Sequence, residues 1–393
     1  MVYLSILLHI YQPPTQFDEI TKKITNDSYR LILDILNKTK GRITLNIPGS
    51  LTEQLVKNKD LDVIWEISKL CRKKQLEFTA TAAYHPLLPR LPQSEIKRQI
   101  ELNNIINIKY FGADIYCPKG FFPPEMAYSS RMDKVLIDNK TGWVILDEYG
   151  YKRQLGLMSH WDIYINKHKN NTKDNNNMEE NGTKNNIKYF FRDDDLSNCI
   201  ALSQVKTISD FDCKMETAYS GKDSYSIIAM DGETFGHHQR GQDKLLNDIL
   251  CSNKYKIVLI SEIEKYFRNK IPIRPLISSW GSGKEDLRKK IYWTKWSFPK
   301  NRIQMLQWRL LKLALKMQIN RLRDQSSVRH KLDMGLHSDQ FWWASKRPYW
   351  HPEMVRRGAK LLYDFIIENH YSSQFAKKDA ERIYNEIVER TEI

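Results

Sequence analysis

Two stretches set carboxylates where catalysis could use them. Ser226–Met230 is a short apolar run that leads into Asp231-Gly-Glu233-Thr-Phe-Gly-His237-His238, and Ile115–Phe122 leads into Pro123-Pro124-Glu125. Strands rich in Ile, Val, Tyr and Phe are buried in parallel sheets, and acids at their ends face the crevice where α/β proteins hold ligands. A plain turn explains one Asp-Gly pair. It explains less well two acids, a Phe and two His within eight residues. Glu125 and Asp231, from two different strand ends, suit glycoside cleavage with retention, which needs a nucleophile and an acid/base about 5–5.5 Å apart. The nucleophile must be ionised and the acid must keep its proton until it donates, so their surroundings must differ. Spacing alone does not say which carboxylate does which.

Other polar groups gather at further strand ends. The first apolar run, residues 2–10, stops in His9-Ile-Tyr-Gln12-Pro13-Pro14, a mouth stiffened by proline. Glu77–Ala83 runs into Tyr84-His85-Pro86-Leu-Leu-Pro89-Arg90-Leu-Pro92, a rigid loop able to hold Tyr84 and His85 over a site. Farther on, His337-Ser-Asp339-Gln-Phe-Trp342-Trp343 precedes Arg347-Pro-Tyr-Trp350. Indoles can take the apolar faces of pyranose rings while Asp339 and His337 take hydroxyls, the mixed lining of a ligand pocket. Trp280, Trp293, Trp296 and Trp308 read instead as core. His9, His85, His237 and His238 can bind hydroxyls and tune the acids. A metal-dependent carbohydrate deacetylase is an alternative, with His9, Asp231, His237 and His238 as ligands of a water-activating ion. Adjacent histidines cannot both face one way on a helix or strand, which weakens it. A non-catalytic carbohydrate-binding protein is a third reading.

The elements behind these ends repeat. Strand-like runs at 2–10, Arg42–Ile47, Glu77–Ala83, Ile115–Phe122 and Trp143–Glu148 alternate with helical patterns at 18–38, 51–72, 93–109 and about 129–139. Units of about thirty residues predict parallel βαβ structure. Ile187–Phe191, Ser226–Met230 and Lys256–Ser261 add later strands. Polar strand ends and the lack of a glycine-rich phosphate loop favour a barrel of about seven strands over an open sheet. Past residue 270, Arg302–Leu322, Glu353–His370 and Phe375–Val388 are amphipathic helical patterns. The expectation is a barrel over 1–270 and a helical C-terminal domain over 271–393 that lends aromatic and acidic residues to the cleft. Lys167–Asn186, rich in Asn and Lys, predicts a disordered insertion, and its sequons at Asn170 and Asn181 are expected by chance in such a tract.

Composition narrows the classes. The net charge of 62 − 47 = +15 invites nucleic acid, but the basic residues are spread along the chain without a basic-aromatic recognition motif. They read as a solvated surface, and no nucleic-acid partner is expected. No apolar run reaches 18 residues, so no membrane helix is expected. Five scattered cysteines, odd in number and never spaced C-x-x-C, predict a reduced, cytoplasmic protein without a cysteine metal site.

Taken together the motifs resemble glycoside hydrolase family 57, the retaining α-glucan-active enzymes. The matching pieces are His9-Ile-Tyr-Gln12-Pro13, Gly120-Phe-Phe-Pro-Pro-Glu125, Asp231-Gly-Glu233-Thr-Phe-Gly and the His337–Trp343 stretch, in the family's order. The resemblance implies an incomplete (β/α)7 barrel, an α/β fold, closed by a C-terminal helical bundle. It implies Glu125 as nucleophile and Asp231 as general acid/base, with His9, His237 and Asp339 near the reacting sugar. The substrate would be an α-1,4-glucan, cleaved as by an α-amylase or transferred as by a 4-α-glucanotransferase, with no metal or organic cofactor. Departures are Tyr11 for the second His of the first motif, Phe121 or Phe122 for a Trp, and Thr81-Ala-Ala-Tyr84-His85-Pro86 in place of the family's second region. They touch sugar-binding positions rather than the two carboxylates.

Overall fold

The computed structural model describes residues 1–151, 158–166, 186–219, 221–318 and 326–392. Ten strands form one sheet: β1 Val2–His9, β2 Ile43–Asn46, β3 Leu76–Ala80, β4 Gly120–Phe121, β5 Trp143–Leu146, β6 Ile163–Asn166, β7 Lys188–Phe191, β8 Ser224–Asp231, β9 Tyr255–Ile257 and β10 Lys270–Ile273. The order is β8-β1-β2-β3-β4-β5-β7-β6-β10, with β9 against the first residues of β1. Every pairing is parallel except β6 with β7. The sheet curls until the end of β7 meets β8, where Asp193 N donates to Ile227 O at 2.8 Å and Arg192 Nη1 donates to Ala229 O at 3.2 Å. Seven strands (β1–β5, β7, β8) thus surround an interior whose last seam is crossed by a loop rather than a ladder. This is the incomplete (β/α)7 barrel.

Period-two alternation decides what each strand gives to that interior. Leu7, Trp143, Ile145, Phe190, Tyr225, Ile227 and Ala229 share one cluster inside the ring. Leu4, Ile6, Leu8, Leu45, Phe78, Ile228 and Met230, of opposite parity, pack outward under the helices. Both faces are buried, so the strands read as near-continuous apolar runs. Gly120 has a packing reason: a Cβ there would sit 2.0 Å from the Trp143 indole that fills the barrel beside it. Extending the inward parity one step places His9 and Asp231 at the C-terminal mouth, as register partners on adjacent strands.

Helices at Arg302–Met317, Ser327–Gly335, Pro352–Glu368 and Gln374–Glu392 follow the sheet. They share one apolar cluster with the outward face of β4, β5 and β7: Phe121, Val144, Leu146 and Tyr189 lie in it with Leu332, Leu362 and Ile383. Arg98 on the helix Gln93–Phe111 donates to both oxygens of Asp333 at 2.9 and 2.6 Å, and Arg329 stands 3.0 Å from the same carboxylate, all three buried.

Several expectations shift. The helix expected over 51–72 is two, Gly49–Lys57 and Leu61–Arg72, because Lys59 is left-handed at φ 64° between them. The run Ile115–Phe122 pairs only at Gly120–Phe121, since Pro118 has no N–H to give a ladder. Lys256–Ser261 is a strand only to Ile257 and then turns. Strands β6 and β10 and the helices at 194–201, 208–218 and 242–251 were not anticipated. The expected insertion lies outside the described residues, Asn186 excepted. Among the described residues no helix is long and apolar enough to cross a membrane, and the five cysteines are free.

Candidate active site

The floor of the site is one level of the barrel. His9, Asn46 and Thr79 are successive register partners across β1, β2 and β3, and Asp231 is the partner of His9 on β8. Asn46 Nδ2 donates to Thr79 Oγ1 at 2.7 Å, so Asn46 Oδ1 faces His9 and accepts from its Nδ1 at 2.6 Å. His9 therefore presents Nε2 as an acceptor, an assignment made from the network. Burial pushes its pKa down to about 4, outweighing the Asn46 bond and the nearby Asp339. The neutral ring lies between Phe122 and His85, at 4.8 and 4.9 Å between ring centres.

Glu125 sits just past β4, and its backbone is unusual. Pro123 and Pro124 lead into Glu125 at φ 60° and Met126 at φ 44°, two consecutive left-handed residues that are not glycine. Such conformations persist only when their surroundings over-determine them. Here Met126 N donates to Pro123 O at 2.8 Å, Ala127 N to Pro124 O at 3.0 Å and Trp280 N to Glu125 O at 3.2 Å. The turned backbone aims the carboxyl into the cleft. Ser338 Oγ donates to Oε1 at 2.7 Å and Trp280 Nε1 donates to Oε2 at 2.9 Å. Burial, then the charge of Asp339, raise the Glu125 pKa to about 7 against the pull of these two donors.

Asp231 differs in one respect: no described residue donates a hydrogen bond to its carboxyl. Burial, then the charges of Glu233 and Glu125, raise its pKa well above the ordinary carboxylate range, with Arg192 only partly opposing them. Arg192 is committed elsewhere, donating to Asp194 at 2.7 Å and Asn198 at 2.6 Å. Glu233, two residues on, accepts from Tyr29 OH, from Gln12 Nε2 at 3.1 Å and from Tyr11 N at 3.3 Å. Tyr29 reaches it from a π-turn, Thr25–Tyr29, that interrupts the first helix. Asp339 accepts from Tyr11 OH at 2.6 Å and faces His337 Nδ1 at 3.5 Å. Burial raises its pKa, but His337, His85 and Tyr11 outweigh it and hold the carboxyl below its usual value.

The cleft has a volume of about 460 Å3. Of the residues singled out in the sequence, His9, Gln12, His85, Glu125, Asp231, Glu233, His237, His238, Asp339, Trp342 and Trp343 line it. Two do not. Tyr84 turns away to donate to Glu53 at 2.8 Å, and His337 is fully buried behind Asp339. His237 is tied at the rim to Asp27 at 3.2 Å, and burial lowers the pKa of His238. Among the described residues no group of three or more His, Cys, Asp and Glu is arranged to hold a metal ion, the set His9, Asp231, His237 and His238 included. Trp280 was expected in the core and instead walls the cleft; its glycine-rich setting, Ser-Ser-Trp-Gly-Ser-Gly, was the available signal. Asn46, Tyr29 and Lys295 carry no local signal, and Ser338, although it stands between His337 and Asp339, is a residue type that the motif alone does not set apart.

Two curated relatives align over the same share, 37%, of this chain and 21% of their own length. They are a 4-alpha-glucanotransferase of Thermococcus litoralis, 25% identical over 146 residues, and alpha-amylase 1 of Dictyoglomus thermophilum, 24% identical over 148. The chain thus matches about a fifth of each. Among solved structures, the 4-alpha-glucanotransferase of Thermococcus litoralis superposes with a TM-score of 0.71 at 19% identity, covering 93% of this chain and 59% of that one. A branching enzyme of Pyrococcus horikoshii superposes at 0.69 and 14% identity over 100% and 95%. These identities speak for the fold. The family model for glycosyl hydrolase family 57 matches residues 7–274, more than half of the chain. This chain belongs to glycosyl hydrolase family 57.

Proposed function

We propose that the protein cleaves or transfers α-1,4-glucans with retention, by double displacement through a covalent glycosyl-enzyme. Glu125 is the nucleophile and Asp231 the general acid/base. One observation carries the assignment of roles: the unequal supply of hydrogen-bond donors to the clustered acids. Glu125, Glu233, Asp339 and Asp231 cannot all ionise in one desolvated pocket, because like charges and burial both favour a shared proton. The proton settles on the carboxyl with no donors to stabilise its anion. Glu125 has two donors, Glu233 three, and Asp339 has Tyr11, with the His337 ring 3.5 Å away. Asp231 has none, so it enters the cycle as the acid, and Glu125 as the carboxylate.

In the first step Glu125 attacks the anomeric carbon while Asp231 gives its proton to the leaving glucosyl oxygen. The glycosyl–Glu125 ester then yields to water or to a sugar hydroxyl, deprotonated by Asp231, and the proton returns to where it began. His9 Nε2 accepts a sugar hydroxyl, and Trp280, Trp342 and Trp343 give indole surface to the pyranose rings. Relatives and structural neighbours bearing amylase, glucanotransferase and branching-enzyme names support an α-glucan substrate.

The test is mass spectrometry of products from a long maltooligosaccharide, native protein against Glu125→Gln. Shorter products alone, absent with the variant, mean hydrolysis; longer and shorter products together mean transfer by the same carboxylates. Asp231→Asn is expected to lose roughly 10²–10⁴-fold on the oligosaccharide. It should keep most of its kcat/KM on α-maltosyl fluoride, whose leaving group needs little protonation, while kcat on the fluoride falls because Asp231 is also the base of the second step. Loss of kcat/KM on both substrates would overturn the role given to Asp231.

A further inference from the structure

The helical region puts one hydroxyl against the candidate nucleophile. Ser338 Oγ lies 2.7 Å from Glu125 Oε1 and 3.1 Å from His85 Nδ1. A serine hydroxyl has one proton to give. An ionised carboxylate only accepts, so the proton points to Glu125, and the hydroxyl oxygen must accept from His85 Nδ1–H. The second ring nitrogen of His85 is then a bare acceptor. It is buried and has no hydrogen-bond partner among the described residues, in a side chain that lines the cleft. The arrangement is fixed from behind: Ser338 N donates to His85 O at 2.9 Å, and Pro86 pairs with His337 as an antiparallel bridge. The His85 backbone itself is left-handed at φ 52°.

We propose that Ser338 is a positioning residue for this site. Its hydroxyl orients the Glu125 carboxylate for attack and, through the same proton, sets the tautomer in which His85 offers Nε2 to a sugar hydroxyl. The inference rests on Glu125 being the nucleophile.

The donor favours the charged form of a carboxylate that burial already holds near pH 7, so removing it pushes the pKa further up. The experiment is kcat/KM against pH for Ser338→Ala and Ser338→Thr, on maltooligosaccharide and on α-maltosyl fluoride. The fluoride reports the attack by Glu125 with little call on the acid. Ser338→Ala should lose roughly ten- to a hundredfold on both substrates, the size of one hydrogen bond to a charge. Its acid limb should move to higher pH, and Ser338→Thr, which keeps a hydroxyl, should bring the limb back. The position of the limb does not depend on how much protein is folded, so a merely structural defect leaves it in place. An unmoved limb in Ser338→Ala, with or without loss of rate, overturns the proposal. Undiminished turnover by Glu125→Gln would instead sink the nucleophile assignment on which it rests.

Discussion

At the scale of residues, the site is an uneven distribution of hydrogen-bond donors among four clustered carboxylates. Glu125 takes one from Ser338 and one from Trp280; Asp231 takes none. The arrangement strains the folded protein, and the strain depends on pH. A carboxyl whose folded pKa is raised adds nothing adverse below its unfolded value, where both states hold the proton. As pH climbs toward the folded value, the unfolded chain ionises freely while the native site either holds a proton or ionises while desolvated, and stability is lost. Asp231→Asn removes that penalty without removing a hydrogen bond. It is expected to raise the melting temperature at pH 8 and leave it almost unchanged at pH 4. Equal shifts at both pH values would mean that packing, not ionisation, is responsible. Stability gained by neutralising the proposed acid would be the usual trade between activity and stability.

At the scale of elements, the question is how two separately encoded parts of the chain hold Glu125, Asp231 and Ser338 in one place. Strand parity aligns His9, Asn46, Thr79 and Asp231 at the mouth. The helix Ser327–Gly335 brings Ser338 and Asp339 down onto that mouth, and its Asp333 lies between the buried guanidiniums of Arg98 and Arg329. Taking away one partner of a buried ion group leaves uncompensated charge and costs about 3–5 kcal/mol. Asp333→Asn should lower stability by that order in urea unfolding and depress turnover, although Asp333 does not line the cleft. Wild-type stability in that variant would mean the ion group holds nothing together. The helices before and after the left-handed Lys59 were legible as one long apolar period, because a single exposed residue that turns the chain hardly disturbs the periodicity.

At the scale of the whole molecule, a single apolar cluster joins Phe121, Val144 and Leu146 of the barrel to Leu332, Leu362 and Ile383 of the helical region. Chains of this length often unfold in stages. A shared core argues for one transition here, with equal calorimetric and van't Hoff enthalpies. Two resolved transitions in calorimetry would show that the barrel and the helices melt independently. The same cluster holds Ser338 and Asp339 over Glu125, so the site exists only where both parts are folded.

The sequence by itself determined the barrel strands, since runs buried on both faces must be apolar throughout, and the chemical types at their ends, where polarity begins abruptly. Glu125 after its prolines and Asp231 after Ser226–Met230 were visible for that reason, and the family match over residues 7–274 covers both. The short strands β6 and β10 were not visible: four residues carry too little periodicity, and their pairing depends on partners far along the chain. Only the tertiary structure decided that Trp280 leaves the core for Glu125, that Tyr84 turns away, that the Ser338 hydroxyl lies between Glu125 and His85, and that Asp231 has no donor among the described residues. Each of these depends on which groups, distant in sequence, meet at one point, and a local pattern of residue types holds no record of such meetings.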